Sequence, residues 1–186
     1  GKTDPQIVRD LMRHEGHSDR VIDDRLTAVL NRYADRLGAE LQDPSHVPIV
    51  HPGVPDLLDA LESHPDVILG LLTGNIESGA TQKLQAVGLD PARFRINAFG
   101  SDHEQRLELP AIAANRAQER LGISPTLVVI GDTPADVACG AGAKRRAIAV
   151  ATGRYTLEEL VACSPAAAFE DLSDTEAVMA AILASA

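Results

Sequence analysis

The chain has 186 residues, 45% hydrophobic and 24% charged, a composition that can bury a core and argues against disorder. Its 27 Asp and Glu outnumber 17 Lys and Arg for a net charge of −10, and only 3% of residues are aromatic, which argues against binding nucleic acid by its phosphates or its bases. Two Cys make neither a disulfide framework nor a zinc site, no apolar run approaches membrane-spanning length and no signal peptide is visible, so a cytoplasmic protein without membrane partners is expected.

The first fifty residues read as helical. Thr3 is placed to cap a helix with Pro5 in its first turn, and Ile7, Val8, Leu11 and Met12 share one face. Gly16 breaks this helix. From about Ser18, Val21, Ile22, Leu26, Val29, Leu30, Tyr33, Ala34 and Leu37 recur at helical spacing, with Gly38 as the predicted stop. Residues 42–53, with three Pro and no periodicity, read as a linker.

Beyond the linker, short apolar runs alternate with amphipathic segments. Val54, Leu57, Leu58 and Leu61 predict a helix ended by His64-Pro65. Residues 67–73 (VILGLLT) predict a buried strand, 77–87 a helix stopped at Gly88, and 95–100 a short strand. Residues 104–121 predict a long helix ending at Gly122. The clearest strand is 126–130 (TLVVI), followed by a short helix near 134–141 and a strand at 147–152. Thr156 with Glu159, and Ser173 with Glu176, have capping-box spacing, and Ala168-Phe169 fits an edge strand. Apolar strands alternating with helices imply an α/β fold: a doubly wound, Rossmann-like parallel sheet covered on both faces. The expected division is a small helical lobe at 1–48 and an α/β core at 49–186.

Ligands of such sheets bind at the carboxyl ends of the strands. The first predicted strand ends in Thr73-Gly74-Asn75. A hydroxyl, a flexible backbone and an amide before a helix suit a phosphate cradle, and equally a plain strand-to-helix turn. The strand at 126–130 ends in Gly131-Asp132-Thr133-Pro134-Ala135-Asp136. Its two carboxylates, four apart, suit one hard cation such as Mg²⁺; the alternative is a helix cap with a dipole-favouring acid. Between them Arg106 follows the strand 95–100, where a cation can hold a phosphate or neutralise developing charge, or simply lie in solvent. Cys139 and Cys163, with no base nearby in sequence, read as buried thiols. CGAGAKR at 139–145 is not a dinucleotide fingerprint, which makes an oxidoreductase a poor reading.

The order LLTGN, basic residue, VVIGDTPADV resembles the haloacid dehalogenase-like hydrolases, in particular phosphoglycolate-phosphatase-like members with a helical cap. The resemblance spans nearly the whole chain. It implies that Thr73 binds the transferred phosphoryl group and Gly74-Asn75 orient it. Arg106 stands where the family usually has Lys and would stabilise negative charge. Asp132 and Asp136 would anchor Mg²⁺, with Asp132 the direct ligand. The family's Asp-x-Asp nucleophile motif has no match here. The resemblance therefore implies an N-terminally incomplete chain that begins within the cap, with Asp-x-Asp on an upstream strand between the Thr73 and Asp132 strands. The expected activity is Mg²⁺-dependent hydrolysis of a small phosphorylated metabolite through an aspartyl-phosphate. A non-catalytic phosphate-binding relative and a dehalogenase of the same fold are the alternatives. Neither the substrate nor the oligomeric state is encoded in a recognisable pattern.

Overall fold

The computed structural model describes residues 1–184. Thr3 acts as its place before Pro5 predicts: its Oγ1 accepts the Gln6 N–H at 3.2 Å and starts helix α1, Asp4–His14. Helix α2 runs Asp19–Glu40, through the expected stop at Gly38. A Cβ there would lie 2.8 Å from the amide oxygen at the end of the Gln82 side chain. The apolar face of α2 is only partly covered, with Ile22 and Ala34 buried and Val21 and Val29 exposed.

The remaining elements are α3 (Val54–Glu62), β1 (Leu72–Thr73), α4 (Glu77–Ala86), β2 (Ala98–Phe99), α5 (Leu109–Leu121), β3 (Leu127–Gly131), α6 (Pro134–Cys139), β4 (Arg145–Val150), α7 (Leu157–Val161), β5 (Ala167–Phe169) and α8 (Thr175–Leu183). The helix expected from 104 starts at Leu109, after a 3-10 turn at Arg106–Glu108. Pro110 explains this, because its ring would clash with the carbonyl of residue 106 in a continuous helix. Thr156 and Glu159 form the expected reciprocal box at α7, whereas α8 is capped by Asp174 rather than Ser173, its carboxylate accepting the Ala177 N–H at 3.0 Å.

Every ladder is parallel. β4 shows why this is an α/β fold. Its Ile148 and Val150 point into a core with Leu57 and Leu61 of α3 and Val178 and Ile182 of α8. Its Ala147 and Ala149 point the other way, against Val137 of α6 and Leu160 of α7. Alternation with period two thus gives β4 two buried faces, each covered by helices. Full burial of a side chain such as Ile148 stabilises the fold by about 1.5–3 kcal/mol. A separate cluster joins Leu109, Ala113 and Ala117, spaced four apart on α5, to Ile96 and Ala98.

The strands fall into two sheets, β1-β2 and β3-β4-β5. The strand expected over 67–73 makes ladder pairs only at Leu72 and Thr73. Asn97 is the local reason: its side-chain oxygen accepts the Leu71 N–H at 2.9 Å, where a backbone carbonyl would otherwise pair. β1 and β3 are each the end strand of their sheet. Between them lies a cavity of about 640 Å³, lined by Leu69, Leu71 and Leu72 on one side and Leu127, Val128 and Ile130 on the other. Among the described residues no helix is long and apolar enough to cross a membrane.

Candidate functional site

Three strand-end loops meet at Arg106. The Arg106 guanidinium, 16% exposed, pairs through Nη2 with Oδ1 of Asp136 from the loop after β3. Its Nη1 lies against the loop after β1, where a Cβ on Gly74 would come within 3.1 Å. Its Nε is buried with no hydrogen-bond partner among the described residues. A buried donor left unpaired costs about 1–3 kcal/mol.

The loop after β1 is knit internally. Thr73 Oγ1 accepts the Asn75 backbone N–H at 3.2 Å and the Asn75 side-chain amide at 2.9 Å. Asn75 Oδ1 in turn accepts Lys83 Nζ at 2.6 Å. Neighbouring segments hold the loop from outside. A Cβ at Gly100 would lie 2.0 Å from the Gly74 carbonyl oxygen, so only glycine lets the loop after β2 pass there. Asp4 donates its N–H to the Gly74 carbonyl at 2.8 Å and accepts the Ile76 N–H on Oδ2 at 2.9 Å. The fully buried Thr3 donates to the Glu104 carbonyl at 2.6 Å, and Arg9 holds the Glu104 carboxylate at 2.7 and 2.9 Å. The start of α1 is therefore clamped onto two strand-end loops.

The two carboxylates of the β3 loop divide their work. Asp136 is buried and both its oxygens are engaged. Oδ1 faces Arg106, while Oδ2 accepts the Thr133 hydroxyl at 2.7 Å and the Thr133 N–H at 3.1 Å, as half of the capping box that opens α6. Asp132 makes no side-chain hydrogen bond among the described residues. It packs where a Cβ on Gly153 would fall 1.9 Å from its Oδ2. Among the described residues no three His, Cys, Asp or Glu side chains gather as a metal cage. Mg²⁺ does not need one, since it takes one or two carboxylates with waters and substrate phosphate. The open carboxylate of Asp132 fits that requirement, and the committed one of Asp136 fits it less well.

Cys139 is a buried thiol, as expected, with its Sγ 3.6 Å from the Arg106 carbonyl and its pKa raised by burial. Cys163 is exposed, contrary to expectation, because it lies just past the end of the five-residue α7.

The structure brings Thr73, Gly74, Asn75, Arg106 and Asp136 together, with Asp132 on the same loop as Asp136. Sequence reading missed Gly153 and Lys83, and named Thr133 only as an alternative helix cap. Thr133 was legible as the first member of a Thr-x-x-Asp cap. Lys83 had a weaker signal, a lone basic residue two turns into the helix after the Thr-Gly-Asn loop.

The family model for haloacid dehalogenase-like hydrolase matches residues 2–141, and a HAD-hydrolase-like model matches residues 110–175. A search of curated proteins gives no match. Among solved structures, a hydrolase from Pseudomonas syringae is similar at TM-score 0.69 and 22% identity, over 100% of this chain and 80% of that one. A predicted phosphoglycolate phosphatase from Haemophilus somnus is similar at TM-score 0.65 and 19% identity, over 84% of this chain and 67% of that one. At these identities the structures speak to the fold, while the family match spans most of the chain and includes all three strand-end loops. The chain belongs to the haloacid dehalogenase-like hydrolases.

Proposed function

We propose that this protein is a Mg²⁺-dependent phosphatase of a small phosphorylated metabolite, of the phosphoglycolate-phosphatase-like kind. The observation that carries the reading is the reach of Arg106 from Asp136 to Gly74, which joins a carboxylate loop to a hydroxyl-and-amide loop around one cation. A phosphoryl group has oxygens for all of these donors at once.

In this reading Thr73, Gly74 and Asn75 bind and orient the phosphoryl oxygens, and Arg106 neutralises their charge. Asp136 holds Arg106 in place, and Asp132 would hold Mg²⁺. When bound, that ion supplies further charge neutralisation at the phosphoryl oxygens. The helical lobe at 1–48 would act as the cap that selects the substrate and excludes water, clamped to the core by Thr3 and Asp4. The nucleophile would be a carboxylate on a strand seated between β1 and β3. It would attack phosphorus and release the alcohol, and water would then cleave the aspartyl-phosphate to free phosphate. The slot between these two end strands supports this, because it is apolar and flanked by two sheet edges that lack a neighbour among the described residues.

The test is p-nitrophenyl phosphate turnover by the complete gene product with and without Mg²⁺. Metal-stimulated turnover is expected. Activity without metal, or none across a panel of phosphomonoesters, would overturn the reading. A second reading, a non-catalytic phosphate-binding relative, draws on the lack of any Asp-x-Asp at the end of a described strand. Phosphate binding without hydrolysis by the complete gene product would favour it. Carbon–halogen hydrolysis ranks below both, because the carboxylates of Gly131-Asp132-Thr133-Pro134-Ala135-Asp136 suit a metal ion that serves a phosphate substrate.

A further inference from the structure

We propose that Lys83 is a positioning residue of the phosphate cradle: acting through Asn75, it makes the Thr73 hydroxyl an obligate donor to an oxyanion. The inference rests on the phosphate reading of this loop.

An ammonium has three donors and no acceptor. Lys83, half-buried on α4, lies 2.6 Å from the Asn75 side chain, so the group that meets it must be the amide oxygen. The orientation of the amide is thereby settled, and its NH₂ faces Thr73 Oγ1 at 2.9 Å. The Asn75 backbone N–H also reaches that oxygen, at 3.2 Å. A hydroxyl has two acceptor lone pairs and one proton. Both lone pairs are taken, so the proton is all Thr73 has left to offer.

A ligand atom at Thr73 must therefore accept. A deprotonated phosphoryl oxygen satisfies this, whereas a ligand hydroxyl or ammonium presenting its own proton does not. Without Lys83 the Asn75 amide could turn over and direct its oxygen at Thr73. The hydroxyl would then spend its proton on Asn75 rather than on the ligand. Lys83 touches no proposed ligand position in this arrangement. Its effect should pass wholly through Asn75, which separates positioning from a simple contribution of positive charge.

The experiment is calorimetric titration of inorganic phosphate into the complete gene product, comparing wild type with Lys83→Met, Lys83→Arg, Asn75→Ala and the Lys83→Met/Asn75→Ala pair. Lys83→Met is expected to weaken phosphate by about tenfold, and Lys83→Arg, a cation that also only donates, by no more than about threefold. In the Asn75→Ala background Lys83→Met should add nothing further. Unchanged affinity in Lys83→Met would overturn the proposal. So would the same fractional loss with and without Asn75, since Lys83 would then act by its charge alone. The Asn75 side-chain NH₂ signal in ¹⁵N NMR is a second measure that needs no ligand. It should shift in Lys83→Met and return in Lys83→Arg, and a signal that stays put overturns the positioning role. If the wild type binds no phosphate, the phosphate reading itself fails, and the NMR result still decides whether Lys83 orients Asn75.

Discussion

Arg106 and Asp136 form an ion pair that joins the loop after β2 to the loop after β3, with side-chain exposures of 16% and 5%. Removing one partner of such a pair leaves the other charge uncompensated in a poorly solvated place. Arg106 is especially vulnerable, because its Nε is already unpaired among the described residues. Asp136→Asn keeps the shape and removes the charge. It is expected to cost about 3 kcal/mol of stability, read from the shift in urea midpoint. Thr133→Ala, which removes the α6 cap and the hydroxyl's bond to Asp136 Oδ2 but leaves the ion pair, should cost about 1 kcal/mol. Equal effects would show that the capping box, and not the ion pair, is what matters at Asp136.

Asp132 should behave in the opposite way. It has no hydrogen bond to lose among the described residues, so Asp132→Asn is expected to change stability by less than about 0.5 kcal/mol. In the same variant, Mg²⁺ affinity measured by calorimetry should fall below detection. Gly153→Ala should reproduce the metal defect, because its Cβ would fall 1.9 Å from Asp132 Oδ2 and displace the carboxylate. Retained Mg²⁺ binding in Asp132→Asn would remove Asp132 from the metal site.

Acid stability should depend on Asp102. Its carboxylate takes paired hydrogen bonds from Arg116, both at 2.7 Å, and the Phe99 N–H at 2.8 Å. The Arg116 hydrogen bond chiefly lowers its pKa, burial opposes this, and the Phe99 N–H adds to the lowering. A depressed folded-state pKa means that protonation favours the unfolded chain. The contribution is complete above the unfolded value of about 3.9 and fades as pH falls through the folded one. Arg116→Gln should therefore flatten the loss of stability below about pH 4. Urea midpoints measured across the acid range would reveal it, and parallel curves for the two proteins would count against the pair.

Asp4 links the helical lobe to the cradle by accepting the Ile76 N–H at 2.9 Å. Asp4→Ala should cost about 1 kcal/mol and speed hydrogen exchange at the Ile76 amide. Unchanged exchange at Ile76 would mean that the Asp4 carboxylate does not hold the cradle loop.

Several parts of the fold were legible because they depend on neighbours in the chain. Thr3, Thr156 and Thr133 cap helices that begin within three residues of them, so spacing alone reveals them. The apolar run ahead of Gly131 reads as a buried strand because each residue must be covered on either face. Local reading failed where a distant group intervened: 67–73 reads as a full strand until Asn97 takes the Leu71 N–H. The cradle was visible as Thr73-Gly74-Asn75, but its second layer was not, because Lys83 reaches Asn75 only after α4 has folded.

The sequence by itself determined that this is an acidic α/β protein with polar, carboxylate-bearing loops at the ends of its strands. Composition, periodicity and caps are sums over nearby residues, and they need no three-dimensional knowledge. The resemblance singles out Asp132 as the direct ligand, but only the tertiary structure shows physically why that carboxylate stays open. Asp132 and Asp136 are the same chemical group four residues apart, and the pattern treats them alike. Arg106, 30 residues earlier in the chain, engages one and leaves the other without a partner among the described residues. A buried cation must pair with the anion nearest to it in space, and sequence distance does not report that.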